Sequence, residues 1–376
     1  MKLRMVATCL FGLEKLLGEE IDKIGGKRVE TIDGRITFDG DETTLVAANL
    51  RLRCAERVFI WMGSFPVYSF DQLFEGTKAL PWENFVGKND IFPVKGHAIH
   101  SKLYSVPDCQ SIVKKAIVDR LSGVYGLRIF PETGVKYQVE FFIFKDQATL
   151  MIDTSGIALH KRGYRPASGD APLRETLGAA IATIARPKDD VLFWDPFCGS
   201  GTIVIEAAMI ATNTAPGLGR SFVSEQFPAI DQRLWSFERE KARSEIRVDS
   251  YFEAYGSDID TEVLEKAREN ARRAGVDGHI KFFCADAREI KKIEGRRGTV
   301  ACNPPYGERL LTLSEAESLY RDMGKVFSKL SPWQIYVLTS ADNFERLYGR
   351  RADKIRKLYN GMIPCRLYQY FKPLGK

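Results

Sequence analysis

A chain of 376 residues, 44% hydrophobic and 28% charged, has the composition of an ordinary globular protein and the length for two or three domains. No apolar run reaches the roughly 20 residues of a bilayer span, and the start, Met1-Lys2-Leu3-Arg4-Met5, lacks a signal-like apolar core, so a cytoplasmic protein is expected. The net charge of +6 and pI near 8.8 suit a nucleic-acid partner without naming one, because the basic excess is spread over both halves of the chain.

From residue 1 to about 165 the pattern is of short strands and helices. Arg4–Cys9 reads as a strand, Leu13–Ile24 as an amphipathic helix, Gly34–Phe38 as a strand and Thr43–Leu50 as a helix. Arg57–Met62 follows as a strand, Phe70–Leu80 as a helix, Ala98–Ser101 as a strand and Ser105–Ser122 as a helix with Pro107 in its first turn. Tyr137–Phe144 and Gln147–Asp153 form a hairpin turned at Lys145-Asp146. This mixture predicts an α+β half, built as two small ferredoxin-like units.

Between His160 and Leu173 the texture changes to a linker: Lys161, Arg162, Tyr164 and Arg165 lead into Pro166, Gly169 and Pro172. Strand and helix then alternate. Val191–Asp195, Glu253–Asp258, Ile280–Cys284, Gly298–Cys302 and Gln334–Thr339 are strands; Gly201–Ala211, Glu262–Ala274 and Ala316–Lys329 are helices. Such alternation predicts a mostly parallel sheet covered by helices, with ligands at the carboxyl ends of its strands. The seven cysteines contain no C-x-x-C pair and the four histidines no ligand spacing, so neither a metal nor a disulfide framework is expected. Cys284 and Cys302 read as small core residues.

The strand ends carry the chemistry. The first runs into Asp195-Pro196-Phe197-Cys198-Gly199-Ser200-Gly201-Thr202, where two glycines let a ligand approach the backbone at a helix N-terminus; it is neither a P-loop nor G-x-G-x-x-G. The second ends in Gly256-Ser257-Asp258-Ile259-Asp260, with Asp258 placed for ribose hydroxyls and Asp260 for capping the next helix. The third ends at Asp286-Ala287, where Asp286 either meets an adenine amino group or caps a helix. The fourth ends in Asn303-Pro304-Pro305-Tyr306. Two prolines fix an extended backbone without amide donors, so its carbonyls stay free; Asn303 adds a side-chain acceptor, and Tyr306 offers a face for a base. Two acceptors can grip both hydrogens of an exocyclic amine and aim its lone pair at an electrophilic methyl. Their dipoles then stabilise the positive charge that attack creates.

Together these motifs resemble class I methyltransferases with an N-P-P-Y amino-group site. More closely, Leu159–Arg165, Asp195–Ala207 and Asn303–Arg309 resemble the THUMP-domain guanine-N2 methyltransferases of large-subunit ribosomal RNA. The resemblance covers the whole chain, with weaker motifs in the first 165 residues. It implies a ferredoxin-like domain over 1–65, a THUMP RNA-binding domain over 66–160 and a Rossmann-like methyltransferase domain over 161–376, with no room for a second catalytic domain. S-adenosylmethionine would be held by Asp195, Pro196, Cys198, Gly199, Ser200, Gly201, Thr202, Asp258, Ile259, Asp286, Ala287 and Asn303. The flipped or unpaired base would meet Asn303, Pro304, Pro305 and Tyr306. Lys161, Arg162 and Arg165 would contact phosphate or simply form a solvated basic linker. Arg309 would contact phosphate or pair with Glu308, and Asp170–Arg174 would close over the cofactor's methionine end. The competing expectations are an adenine-N6 DNA methyltransferase, disfavoured by the lack of a visible DNA-reading module, a tRNA guanine-N2 enzyme, and a non-catalytic RNA-binding module.

Overall fold

The computed structural model describes residues 1–165, 173–306 and 312–371. Leu3, Met5, Ala7 and Cys9 alternate into the core from the first strand, β1 (Lys2–Cys9), at the period of two that strand geometry imposes. The chain continues as α1 (Glu14–Lys23), β2 (Lys27–Ile32), β3 (Arg35–Asp41), α2 (Glu42–Arg51), β4 (Ala55–Pro66), α3 (Phe70–Lys78), β5 (Val94–Ile99), α4 (Val106–Tyr125), β6 (Val139–Phe144) and β7 (Gln147–Asp153). Helix starts follow side-chain chemistry: Asp41 accepts from Thr44 N at 2.9 Å to open α2, and Ser69 accepts from Gln72 N at 3.3 Å to open α3.

These strands form one seven-stranded sheet in the order β2-β3-β1-β4-β7-β6-β5. The 12-residue β4 pairs with β1 along one edge and β7 along the other, so the two expected units share a single continuous sheet. Strand β5 begins four residues before the expected Ala98. Gly96 hides its pattern: a Cβ there would lie 2.2 Å from the Phe141 carbonyl oxygen of the parallel neighbour β6. His100, at φ +49°, ends it.

The sheet also curls. Arg35 on β3 places its guanidinium carbon 4.7 Å from the ring centre of Phe142 on β6. With three strands between them, a flat sheet would hold these residues about 19 Å apart. The outer face is therefore a trough, floored by buried Val6, Phe59 and Met151 and lined by Trp61 and Phe142.

The second half contains α5 (Glu175–Ala185), β8 (Val191–Asp195), α6 (Thr202–Ala211), α7 (Gln232–Ser244), β9 (Ala254–Asp258), α8 (Thr261–Ala274), β10 (Ile280–Cys284), β11 (Arg297–Cys302), α9 (Leu313–Ser328), β12 (Gln334–Thr339), α10 (Phe344–Tyr348), β13 (Lys354–Asn360) and β14 (Ile363–Tyr370). Its sheet has the order β10-β9-β8-β11-β12-β14-β13; the first five strands are parallel and the last two joins antiparallel. From β8 the order runs one way to β9 and β10, whereas β11 lies on its other side. Strand order thus reverses between β8 and β11, where an open α/β sheet leaves a crevice at its carboxyl edge.

A buried ionic knot joins the halves. Arg53, following α2, donates to the carbonyls of Met209 (3.3 Å) and Thr214 (2.8 Å), and Arg162 lies 3.4 Å from Glu206 of α6, which also accepts from Tyr164. Arg162 and Glu206 are 3% and 0% exposed.

Candidate active site

At the reversal point β8 delivers Asp195 to a tight loop. Asp195 is 1% exposed and accepts from Phe197 N at 3.0 Å; burial, with Asp258 nearby, pushes its carboxyl well above the ordinary carboxylate range. Pro196, Cys198 and Thr202 are likewise buried, so these four residues shape the loop from beneath. Gly199 and Ser200 form its upper surface. Gly199 (φ +50°) and Gly201 (φ +85°) both occupy the left-handed region. A Cβ on Gly201 would meet Ile205, Ala267 and Phe282 at 3.1–3.3 Å, whereas a Cβ on Gly199 would enter open space. That opening is a cradle where a ligand can approach bare backbone at the start of α6.

The neighbouring strand holds the loop in place. Asp258 Oδ2 accepts from Gly199 N at 2.9 Å, and its Oδ1 accepts from Asp260 N at 3.1 Å. Each carboxylate oxygen retains a second lone pair, so Asp258 can still receive hydroxyls. Asp260 is the helix cap, accepting from Glu262 N and Val263 N. Beside it Ile259 is 72% exposed at the cradle rim, and Asn270 of α8 donates to Ser200 O at 3.0 Å. Asp286 caps no helix; Arg288 grips its carboxylate through both Nε and Nη2 and holds it below the usual carboxylate range, while Ala287 is buried beneath. Cys284 departs from expectation. It is exposed, because at the edge strand β10 its side faces solvent, whereas Cys302 is fully buried.

Asn303, Pro304, Pro305 and Tyr306 leave β11 on the other side of the crevice. The Tyr306 hydroxyl donates to Asn303 Oδ1, lies within hydrogen-bonding reach of Asn360 and sits 4.0 Å from Cys365 Sγ. Burial holds its pKa well above the ordinary value. The expectation that both proline carbonyls stay free needs one correction: Pro305 O accepts from Tyr320 at 2.8 Å. That bond fixes the turn, and among the described residues no donor is paired with Pro304 O.

The basic residues of the linker divide. Lys161 is exposed. Arg162 is buried in the ionic knot and has no surface to offer phosphate, which corrects that expectation. Arg165 turns inward, pairing with Glu175 (2.8 Å) and donating to Thr202 Oγ1 (3.0 Å) and Leu173 O (3.2 Å). Of Asp170–Arg174, residues 170–172 lie outside the described residues, as does Arg309. Leu173 is buried, and Arg174 pairs with Glu56 at 3.0 Å. Sequence reading missed the β13–β14 hairpin, which brings Asn360 and Cys365 to Tyr306. Its signal was Asn360-Gly361, a turn dipeptide between two strands.

Family models match three segments: an RlmL ferredoxin-like domain over residues 4–59, a THUMP domain over 67–153 and an RMKL-like methyltransferase domain over 162–369. The Bacillus subtilis (strain 168) protein YpsC, named as a candidate RNA methyltransferase, is 43% identical over 98% of this chain and 96% of its own length. A Listeria monocytogenes str. 4b F2365 structure described as a predicted N6-adenine-specific DNA methylase is 44% identical. It matches with a TM-score of 0.93 over 99% of this chain and 97% of that one. SMU.472, a candidate methyltransferase solved with SAH, is 39% identical with a TM-score of 0.93, covering 100% and 99%.

Proposed function

The chain belongs to the RMKL-like methyltransferases with ferredoxin-like and THUMP domains, and from that premise we propose that it methylates the exocyclic N2 amine of a guanine in large-subunit ribosomal RNA. S-adenosylmethionine is the cofactor of this family's catalytic domain. The observation that carries the reading is the pairing of the Gly199 cradle, at the end of β8, with Asn303 and Tyr306 at the end of the adjacent β11. The open space over Gly199 fits the cofactor. Gly199 and Ser200 would take its polar end, Asp258 its ribose, and Ile259, Asp286 and Ala287 its adenine.

Bound there, the cofactor supplies an electrophilic methyl. This chain's own residues do the rest. Asn303 Oδ1 and Pro304 O accept the two N–H groups of the amine, and the Tyr306 ring stacks on the base. The same two dipoles would stabilise the ammonium charge as the amine takes the methyl, whose bond to the sulfonium sulfur breaks to leave the neutral thioether, and the proton would then pass to solvent. The units at 1–65 and 66–160 would hold RNA and the unit at 161–376 would perform transfer, with Lys161 at the junction free to meet phosphate.

Radiolabelled cofactor offered with ribosomal RNA, tRNA and unmethylated DNA, followed by nucleoside analysis, tests this reading. Label in N2-methylguanosine from ribosomal RNA is expected. Label in N6-methyldeoxyadenosine would overturn it in favour of the DNA activity named for the Listeria relative, and label only in tRNA would correct the substrate. Asn303→Ala is expected to lower the rate by about 10²–10³-fold with cofactor affinity intact. Equal activity in the variant would sink the amine site.

A further inference from the structure

The second half touches the first near the proposed amine site through one exposed and one half-buried aromatic ring. Phe11, in the loop after β1, is 52% exposed and meets Tyr359 of β13 edge-on at 5.6 Å between ring centres. Tyr359 adjoins Asn360, which reaches Tyr306, and Lys357 lies 5.5 Å from the Tyr359 ring. The contact is built in: a Cβ on Gly12 would lie 2.5 Å from Lys357 O, and one on Gly34 would lie 2.9 Å from the Phe11 ring.

Past Gly34 the path enters the trough of the shared sheet. Arg35 lies on Phe142, Phe142 is near-parallel to Phe144 at 6.0 Å, and Lys145 sits 5.1 Å from Phe144. Arg35 is half-buried, and among the described residues no acceptor is hydrogen-bonded to its guanidinium, on which Glu30 acts only as a nearby charge. A guanidinium with five donors and partial desolvation leaves a vacancy that a phosphate oxygen fills well. Lysines 145 and 357 are exposed, and so are spare charges beside ring faces.

We propose that the line from Tyr306 through Tyr359 and Phe11 to Arg35, Phe142 and Phe144 is the path of a single-stranded RNA segment flanking the target base. Cations interleaved with aromatic faces are what an unpaired strand needs, since each base has a face to stack and each linkage a charge to neutralise. A duplex, its bases already stacked, gains nothing from the rings. The proposal rests on the RNA reading above and adds where the strand runs.

The test uses the full chain, a fluorescein-labelled mixed-sequence single-stranded RNA of about 20 nucleotides, the matching RNA duplex and a DNA strand of the same sequence. Anisotropy titrations at fixed salt are expected to show that Phe11→Ala and Arg35→Ala each weaken single-strand binding about tenfold. Phe237→Ala, an exposed ring on α7 away from the path, should bind as wild type. All three should keep wild-type affinity for S-adenosylhomocysteine, which separates lost contact from lost fold. A second measurement needs no variant: 4-thiouridine in the same RNA should crosslink to peptides carrying Phe11, Phe142–Lys145 and Tyr359. Tight RNA binding that neither substitution weakens, or crosslinks confined to other surfaces, would overturn the path and leave the RNA reading standing. Equal affinity for the duplex would overturn the single-strand claim. Binding of DNA but not RNA would overturn both readings together.

Discussion

The Tyr306 hydroxyl donates to Asn303 Oδ1, the oxygen that the proposed reaction would offer to the amine. Ring and hydroxyl can therefore be separated. Tyr306→Phe keeps the stacking face and frees the acceptor, so transfer should stay within a few-fold of wild type. Tyr306→Ala should lose about tenfold or more, at 1–3 kcal/mol per stacked base. Steady-state rates for the pair decide it, and a Phe variant as damaged as Ala would mean the hydroxyl itself acts. Asp195 presents a different case. Its folded pKa lies above the ordinary 3.8, so the folded protein binds that proton more tightly than the unfolded chain does. The stability this confers is present below pH 3.8 and is lost as pH rises toward the folded value. Asp195→Asn keeps an acceptor for Phe197 N and removes the titration. It should gain stability over wild type with rising pH, by up to about 1.4 kcal/mol per unit across that window. Urea unfolding of both proteins from about pH 4 to 8 checks this; a constant difference would count against a buried titrating Asp195.

Among the elements, those with a clean period were legible from the sequence and those without one were not. The strands β8, β9, β10, β11 and β12 and the helices α6, α8 and α9 lie where apolar runs and capping residues put them. The motif-bearing strand ends at Asp195, Asp258 and Asn303 converge for the same reason, since a parallel sheet brings its carboxyl ends together. Edge strands were harder. Strand β2 has almost no buried residue, and β13 carries Lys354, Arg356 and Lys357 on the sheet's border, so neither shows alternation. Helix α5 is buried almost all round, which erases the amphipathic signal. The linker basics misled because a run of arginines looks solvated until a buried carboxylate such as Glu206 is brought to it by the fold. Arg165 shows the consequence at this scale: it ties the linker to Leu173, to the start of α5 and to Thr202 at the head of α6. Arg165→Ala should raise KM for the cofactor about tenfold, the loss of a charge-assisted bond or two, with kcat little changed. A fall in kcat at unaltered KM would contradict a role in holding the cofactor loop.

At the scale of the whole molecule, the two halves are joined by charge as well as by apolar packing. Removing Glu206 would take the principal counter-charge from two buried guanidiniums, Arg53 and Arg162, leaving only the weaker influence of Glu20 and, for Arg162, Glu175. Glu206→Ala is expected to cost about 3–5 kcal/mol, read as a lower urea midpoint. Hydrogen exchange should rise first in α6 and in the residues around Arg162. A loss under 1 kcal/mol would mean the knot adds nothing beyond the surrounding apolar contacts.

That knot bears on how such a protein can change over time. Its members come from three separate stretches of chain, Arg53 before β4, Arg162 in the linker and Glu206 on α6. The RNA-facing half is therefore not a cassette to be exchanged at will. A chimera that grafts it onto a catalytic half with no acid at the position of Glu206 would inherit buried cations without their principal counter-charge. Lineages should keep or lose the trio together, and a designer who wants to re-aim this catalytic half must carry the joint along with the part.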